Sequence, residues 1–459
     1  MNLKLKNYQY LMSSSMIRMI CTLLATYIFT NFFSIKEFAI YNIIVSLSII
    51  VSGLITSPQY YFLATNHNKS KLIFSSRENI NLILSLFIIL IFFIYFFKNS
   101  IFLISNNKIL FFVLFFLSIS LALQIVIQNI SRIEKNYLTY FKISIVERIF
   151  LITIIILALI FELKIDTFLL IFSLFCFIFF ISYLIKKKYI EFNFKFLKNK
   201  NILKESSYAF LNNLVTISIG LQALIFVSGN FNQYIFTNSI SIGLLFLSLA
   251  TLPLTWVETV VGPIISRIIK TQNTKLLNDF ANTNFKSVLY FCFIITILLI
   301  FFSFLPYIFE FFFENYSEYK KVVFIFSFLI PVMGSKIYLS WFLVCLKKTK
   351  YMLFSNFLVL ILFCSVFYIL DFKINDFLFY YVLILLFEII FLYFTFSYFY
   401  KLKHIIEIYF ILFLTIINLY FYNFYYEIYY YYFYVNFIYV FFYLKKNNVK
   451  KFLISVAKS

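Results

Sequence analysis

The chain is short of the residues that build loops. Among 459 residues only 6 are glycine and 5 are proline, whereas average usage is about 7% and about 5%. Soluble proteins spend these residues on turns, and here there are few to spend. Charge is equally sparse: 12% of residues are Asp, Glu, Lys or Arg, against roughly 25% in a soluble domain. That excludes a soluble globular protein and defines an integral membrane protein. The five cysteines (Cys21, Cys176, Cys292, Cys345, Cys364) fall inside apolar runs, with no CxxC pair and no neighbouring histidine. They read as small residues facing lipid or other helices, not as a disulfide or metal framework. The two histidines, His67 and His404, are far apart, so no metal site is visible and no cofactor is expected. The first residues, MNLKLKNYQY, lack a short apolar core with a small-residue cleavage site, and no removed signal peptide is expected.

What remains is apolar. The chain is 63% hydrophobic, with 69 Phe and 37 Tyr. Phe, Tyr, Ile, Lys and Asn share AT-rich codons, so a run such as Tyr429 to Tyr434 is not read as a binding box. A spanning helix needs about 20 mostly apolar residues. Fourteen candidates meet that rule: 10–32, 38–64, 80–97, 109–130, 143–161, 167–185, 206–228, 233–265, 285–308, 321–346, 351–370, 376–399, 405–422 and 429–444.

Net charge is +21, but the basic residues are scattered over short loops, which argues against nucleic acid as partner. With the N-terminus cytoplasmic, 29 of the 39 Lys and Arg lie on that side and seven on the other. This obeys the positive-inside rule at each alternate loop and puts both termini in the cytoplasm. No outside loop exceeds about a dozen residues between spans placed by the length rule. A folded extracytoplasmic domain is excluded, and with it a membrane glycan polymerase, whose catalytic groups need a large outer loop.

The longest polar interruption is Lys186 to Lys204, with seven lysines against Glu191 alone and with interleaved aromatics. Such a segment suits the headgroup layer of an anionic leaflet. The stretches on either side of it repeat one pattern. Tyr10 to Ser15 matches Tyr208 to Asn213, and Glu37 to Asn42 matches Gln233 to Asn238; Pro58 matches Pro253, all at offsets of 195–198. Six spans separate the copies, so both enter the membrane the same way, as in transporters built from parallel repeats. The expected architecture is all-α and polytopic, with about 14 transmembrane helices. It divides into an N-terminal six-helix bundle (1–185), a basic cytoplasmic linker (186–205), a C-terminal six-helix bundle (206–400), and two extra helices with a basic tail (401–459). All five prolines fall inside spans, where they bend helices.

An ionisable residue deep in a span costs several kcal/mol unless it meets a partner or a wet cavity. The candidates are Arg18, Glu147 and Arg148 at the start of the fifth span, Glu258, Lys336 and Glu388. A partly cationic cavity would use Arg18 and Lys336, with Arg148, Asn212 and Asn213, to hold an anionic headgroup such as a phosphate or pyrophosphate. Glu258 and Glu388 would carry coupling protons or sodium. The competing reading makes Arg18–Glu258 and Lys336–Glu388 buried structural ion pairs, and lets Arg148 reach the cytoplasmic face beside Glu147.

Three stretches carry a family resemblance. They are Tyr10 to Ile20 with Arg18, the turn into Phe38-Ala39-Ile40-Tyr41, and Thr251-Leu252-Pro253 through Val261-Gly262-Pro263-Ile264-Ile265-Ser266-Arg267. The chain resembles the multidrug/oligosaccharidyl-lipid/polysaccharide exporter (MOP) superfamily, and within it the O-antigen and capsule repeat-unit flippases (Wzx-type). Ala39 stands where that family often has glycine. The resemblance implies two six-helix bundles around a V-shaped cavity in the bacterial inner membrane. It implies export of an undecaprenyl-pyrophosphate-linked oligosaccharide, with anionic lipids and the polysaccharide polymerase and chain-length machinery as partners. Related lipid II flippases carry several bases in their first, second and eighth spans. Here only Arg18 has such a place and Glu258 stands where a base is expected, which argues against lipid II. A drug or cation antiporter of the same superfamily is the alternative; three buried bases and three buried acids do not decide between them. A respiratory proton-channel subunit would carry buried Lys or His in several broken helices, and here only Lys336 fits.

Overall fold

A computed structural model of the chain describes residues 2–65, 107–134, 136–187, 200–218, 220–230, 233–256, 320–346, 348–369 and 374–399, with shorter stretches between 268 and 314. Among the described residues there is no strand. The helices are α1 (Asn2–Phe32), α2 (Ile35–Thr65), α3 (Lys108–Ile133), α4 (Tyr137–Ile160), α5 (Ile165–Lys186), α6 (Lys200–Ser218), α7 (Leu221–Asn230), α8 (Tyr234–Trp256), α9 (Lys320–Cys345), α10 (Thr349–Ile369) and α11 (Ile374–Phe399). Five of these, α1 to α5, are long and apolar enough to cross a membrane. The expected spans at 80–97, 405–422 and 429–444 lie outside the described residues, as does most of the basic linker.

Two compact units emerge, one of Met1–Leu245 with Phe309–Tyr319, the other of Phe246–Ile308 with Lys320–Ser459. In the first, α2 is the central helix. It packs on α3, α6 and α7, and 72% of its span is buried against 28% for α1. An apolar helix without a polar face belongs in that position. Helix α1 lies along α4, and α3 along α5. Where α1, α2 and α5 meet, Phe29 is fully buried and stacks on Phe38 at 5.6 Å and on Tyr41 at 4.3 Å, with Phe168 edge-on at 5.8 Å.

Local chemistry sets the helix ends. Ser34 and Glu37 form a reciprocal cap at the start of α2: the Ser34 N–H and hydroxyl donate to Glu37 Oε2 at 3.0 and 2.7 Å, and the Glu37 N–H donates to Ser34 Oγ at 3.3 Å. This S-x-x-E arrangement satisfies backbone donors that the helix leaves open. Asn136 caps α4 by accepting from the Thr139 N–H at 3.2 Å. Asn107 caps α3 through the Ile109 N–H at 2.9 Å and also binds the Asp166 carboxylate, tying the first turns of α3 and α5 together. After α4, Glu162 adopts φ 49°, and the Leu163 N–H returns to the Ala158 carbonyl at 2.9 Å, closing the helix C-terminus.

The lipid face is equally plain. On α5, Ile171, Ile178 and Ile185 recur every seven residues and are exposed, as are Ile149, Ile156 and Ile160 on α4. In water such stripes would be a liability; against hydrocarbon they cost nothing.

Three helices depart from the expected bounds. α1 begins at Asn2, eight residues before the apolar run, and α4 begins at Tyr137, six residues before it. The span expected at 206–228 is two helices, α6 and α7, separated at 219–220. There the Gly220 N–H bonds the Ile217 carbonyl at 2.9 Å, three residues back, and α7 starts afresh on the Gly220 carbonyl.

Replacing Ser34 with Ala should lower the unfolding free energy of the purified protein in detergent by about 1 kcal/mol. Glu37→Ala should cost a similar amount, and the double variant little more, because both remove one cap. Denaturant titrations of the three variants measure this.

Candidate functional site

Four places among these apolar helices stand out for their buried polar groups. The first joins the two sequence repeats. Asn42 donates its side-chain N–H to Asn238 Oδ1 at 2.9 Å, and the Asn238 amide donates to the Ile35 carbonyl at 2.9 Å. Asn238 is fully buried and Asn42 nearly so. These are equivalent positions of the repeat, 196 residues apart. The contact lies in the second turn of α2, beside the α1–α2 turn. Alongside it α7 approaches α2 so closely that a Cβ on Gly229 would fall 2.3 Å from Ile43 Cδ1. Ser228 and Thr237 share a hydroxyl contact of 2.9 Å between α7 and α8.

The second place surrounds Pro58 in α2. Pro58 carries no backbone N–H, so the Leu54 carbonyl loses its helical donor. The Ser57 hydroxyl takes over at 2.8 Å. One residue earlier, Asn213 on α6 donates to the Gly53 carbonyl at 2.6 Å. Asn213 thus fastens α6 to α2, while its neighbour Asn212 is buried on the same helix.

The third is a charged group inside the first unit. Glu147 and Arg148 are the eleventh and twelfth of the 24 residues of α4. They lie at the middle of the helix, not at its start; the sequence reading misplaced them because it began the span at residue 143. Gln124 on α3 donates to Glu147 Oε2 at 2.9 Å, and Gln128 to Ser144 Oγ at 3.1 Å. The Arg148 Nε is 3.7 Å from Glu147 Oε2, is sealed, and makes no hydrogen bond. About a quarter of the Arg148 side chain is nonetheless exposed (24%). Its face of α4 also carries Ser144, Leu151 and Ile155, all essentially buried, whereas the neighbouring Ile149 is on the lipid stripe. Residues four before, three after and seven after share a helix face, so Arg148 stands on the buried face of α4. Cys21 on α1, Tyr41 on α2 and Cys176 on α5 are its electrostatic neighbours. Arg148 lies roughly 17 Å along the helix from Tyr137 at 1.5 Å per residue.

Arg18 is half-buried on α1, the helix packed along α4. Its carbonyl accepts the Thr22 hydroxyl at 2.7 Å.

The fourth place is in the second unit. Lys336 on α9 and Glu388 on α11 form an ion pair of 2.6 Å between Nζ and Oε2. Glu388 has no exposed surface and Lys336 has 7%. Of the two pairs considered from sequence, this one is made. Glu258, expected as a coupling acid, lies outside the described residues. The structure therefore brings Lys336 to Glu388, Arg148 to Glu147, and Asn213 to α2. The bond from Gln124 to Glu147 was not read from the sequence; a glutamine within an otherwise apolar helix was the available signal.

No protein-family model and no curated protein matches the sequence. Solved structures do. A lipid II flippase, MurJ, in an inward closed conformation matches with TM-score 0.59 and 19% identity, over 89% of this chain and 91% of that one. A MATE in complex with MaL6 matches with TM-score 0.58 and 13% identity, over 84% and 94%. An outward-facing multidrug resistance transporter of the MATE family matches with TM-score 0.52 and 14% identity, over 84% and 92%. The chain is thus a multi-pass membrane protein with a polytopic transporter fold. It is the fold of the lipid II flippase and of the MATE transporters that it matches.

The asparagine contact is directly measurable. A double-mutant cycle on Asn42→Leu and Asn238→Leu, read by thermal unfolding in detergent, should give a coupling of about 0.6 to 1.7 kcal/mol, the range for hydrogen bonds between membrane helices. Additive single-variant losses would mean that the two amides do not bond.

Proposed function

We propose that the chain is a flippase. It moves undecaprenyl-pyrophosphate-linked oligosaccharide repeat units from the cytoplasmic to the periplasmic leaflet of the bacterial inner membrane, for O-antigen or capsule assembly. It works by alternating access between two six-helix bundles, 1–185 and 206–400, with both termini in the cytoplasm. The observation that carries this reading is Arg148. A guanidinium at mid-helix depth, only loosely engaged by Glu147 and on the buried face of α4, is a costly feature. It is well suited to a phosphate, whose oxygens match the planar fork. Arg18, on the adjoining helix, is the second anion-binding residue, with Asn212 on α6 a further polar group and Asn213 holding α6 on α2. Short loops leave the work within the membrane, and no enzymatic role is assigned. Polymerase and chain-length proteins are the expected partners.

The Asn42–Asn238 contact fits the transport cycle. By the loop charges it lies at the periplasmic end, so it must part whenever the repeats separate there. A multidrug antiporter remains the second reading, favoured by the MATE likeness at a TM-score of 0.58 beside the 0.59 of the flippase. The anionic preference of Arg148 speaks against it.

Deletion of the protein from its host should trap lipid-linked repeat units on the cytoplasmic leaflet. Complementation with the wild type should clear them and with Arg148→Gln should not. In a cysteine-free background, Asn42→Cys/Asn238→Cys bridged by a short bifunctional thiol reagent should stop transport, and reduction should restore it. Normal surface glycan in the deletion strain contradicts the proposal.

A further inference from the structure

The two internal acids with basic partners are built differently. Glu147 is shared with Gln124 and stands 3.7 Å from an arginine that is open on one side. Glu388 is closed from all sides and is met at 2.6 Å by the ammonium of Lys336. On α9 the residues flanking Lys336 on its own face, Val332, Leu339 and Leu343, have no exposed surface. On α11, Leu385 and Leu392 close the face of Glu388. An isolated carboxylate in such a place would be expelled or neutralised. It needs a cation that reaches it without bringing a hydration shell. A lysine head is a compact point charge on a four-carbon stem, and here the stem is part of the wall.

We propose that Lys336 is a resident counter-cation: its ammonium occupies, within the second unit, a one-carboxylate cation site that would otherwise bind a free monovalent cation such as sodium or a small alkylammonium. Glu388 then exchanges no ion with the medium. Any ion coupling of transport runs through another acid, with Glu147 the alternative among the described residues. Beyond the contact with Lys336, neither carboxylate oxygen of Glu388 has a hydrogen-bond partner among the described residues. Tyr381, earlier on α11, is the other titratable group in the field of Glu388, and its hydroxyl adds no positive charge. This assignment is independent of the substrate, so it stands or falls apart from the flippase reading.

The test uses the purified full chain in detergent or nanodiscs, with thermal melting followed at constant ionic strength. Choline chloride is exchanged for sodium chloride or methylammonium chloride. Wild type should melt at one temperature in all three. Lys336→Ala should melt several degrees lower in choline and recover part of the loss in sodium or methylammonium. Lys336→Ala/Glu388→Gln should show no such response. Should Lys336→Ala fail to yield folded protein, binding of radiolabelled sodium by wild type and Glu388→Gln decides: equal, background binding supports the assignment. Sodium binding or sodium-dependent melting in wild type that Glu388→Gln abolishes overturns it. So does a folded Lys336→Ala whose melting ignores both cations.

Discussion

Hydrocarbon offers a polar atom no partner, so each one placed in a span must find its own within the chain. Most of what distinguishes this molecule follows from that constraint. A carbonyl released by Pro58 is met by Ser57, and the carbonyl of Gly53 by Asn213 on another helix. Two asparagines at equivalent repeat positions meet each other, and one of them also holds the α1–α2 turn through the Ile35 carbonyl. Each such bond is modest by itself, roughly 0.6 kcal/mol on average in membranes. Their joint effect is directional: they fix which helix faces which, where apolar packing alone would tolerate sliding. That α6, α7 and the first part of α8 group with the amino-terminal helices agrees with these contacts: Asn213 on α6 and Asn238 on α8 bond to α2, and α7 packs on α2.

Charges obey the same rule with larger stakes, and Lys336 and Arg148 meet it differently. Lys336 is consumed by Glu388, leaving little surface. Arg148 is only partly neutralised, because its acid also serves Gln124 and lies at 3.7 Å. A site for an anionic headgroup must keep some positive potential unspent, and within the first unit that condition is met at Arg148. A charge kept reachable inside an apolar bundle is better explained by a ligand that visits than by stability, since replacing such groups with packed apolar ones is often neutral or favourable.

Much of this was legible in the residues. Apolar run length gave α2, α3 and α5 to within three residues at each end, because their ends lie close to the ends of the runs. The repeat offset paired Glu37–Asn42 with Gln233–Asn238, and the structure turns that pairing into a hydrogen bond between its last members. Run length failed where helices begin in polar sequence. Residues 137–142 contain Thr139 and Lys142, so α4 looked too short, and its charged pair was placed at an end instead of the middle; Asn136 as a cap was the overlooked sign. The break at 219–220 was signalled by Gly220 but hidden within an apolar run. Which base pairs with which acid could be narrowed but not decided, since Lys336 and Glu388 are 52 positions apart and on helices whose facing cannot be read from an all-round apolar pattern. The open side of Arg148 depends on α1, α2 and α5 together, and no local pattern encodes it.

The most direct test is equilibrium binding of undecaprenyl pyrophosphate to the purified chain in nanodiscs, against undecaprenol of the same length, for wild type and Arg148→Gln. The account predicts that wild type prefers the pyrophosphate and that the variant loses at least about tenfold in affinity for it, the effect of removing a charge-assisted hydrogen bond, while binding of undecaprenol is unchanged. Equal affinity for the two lipids, or a preference that survives in Arg148→Gln, would contradict it.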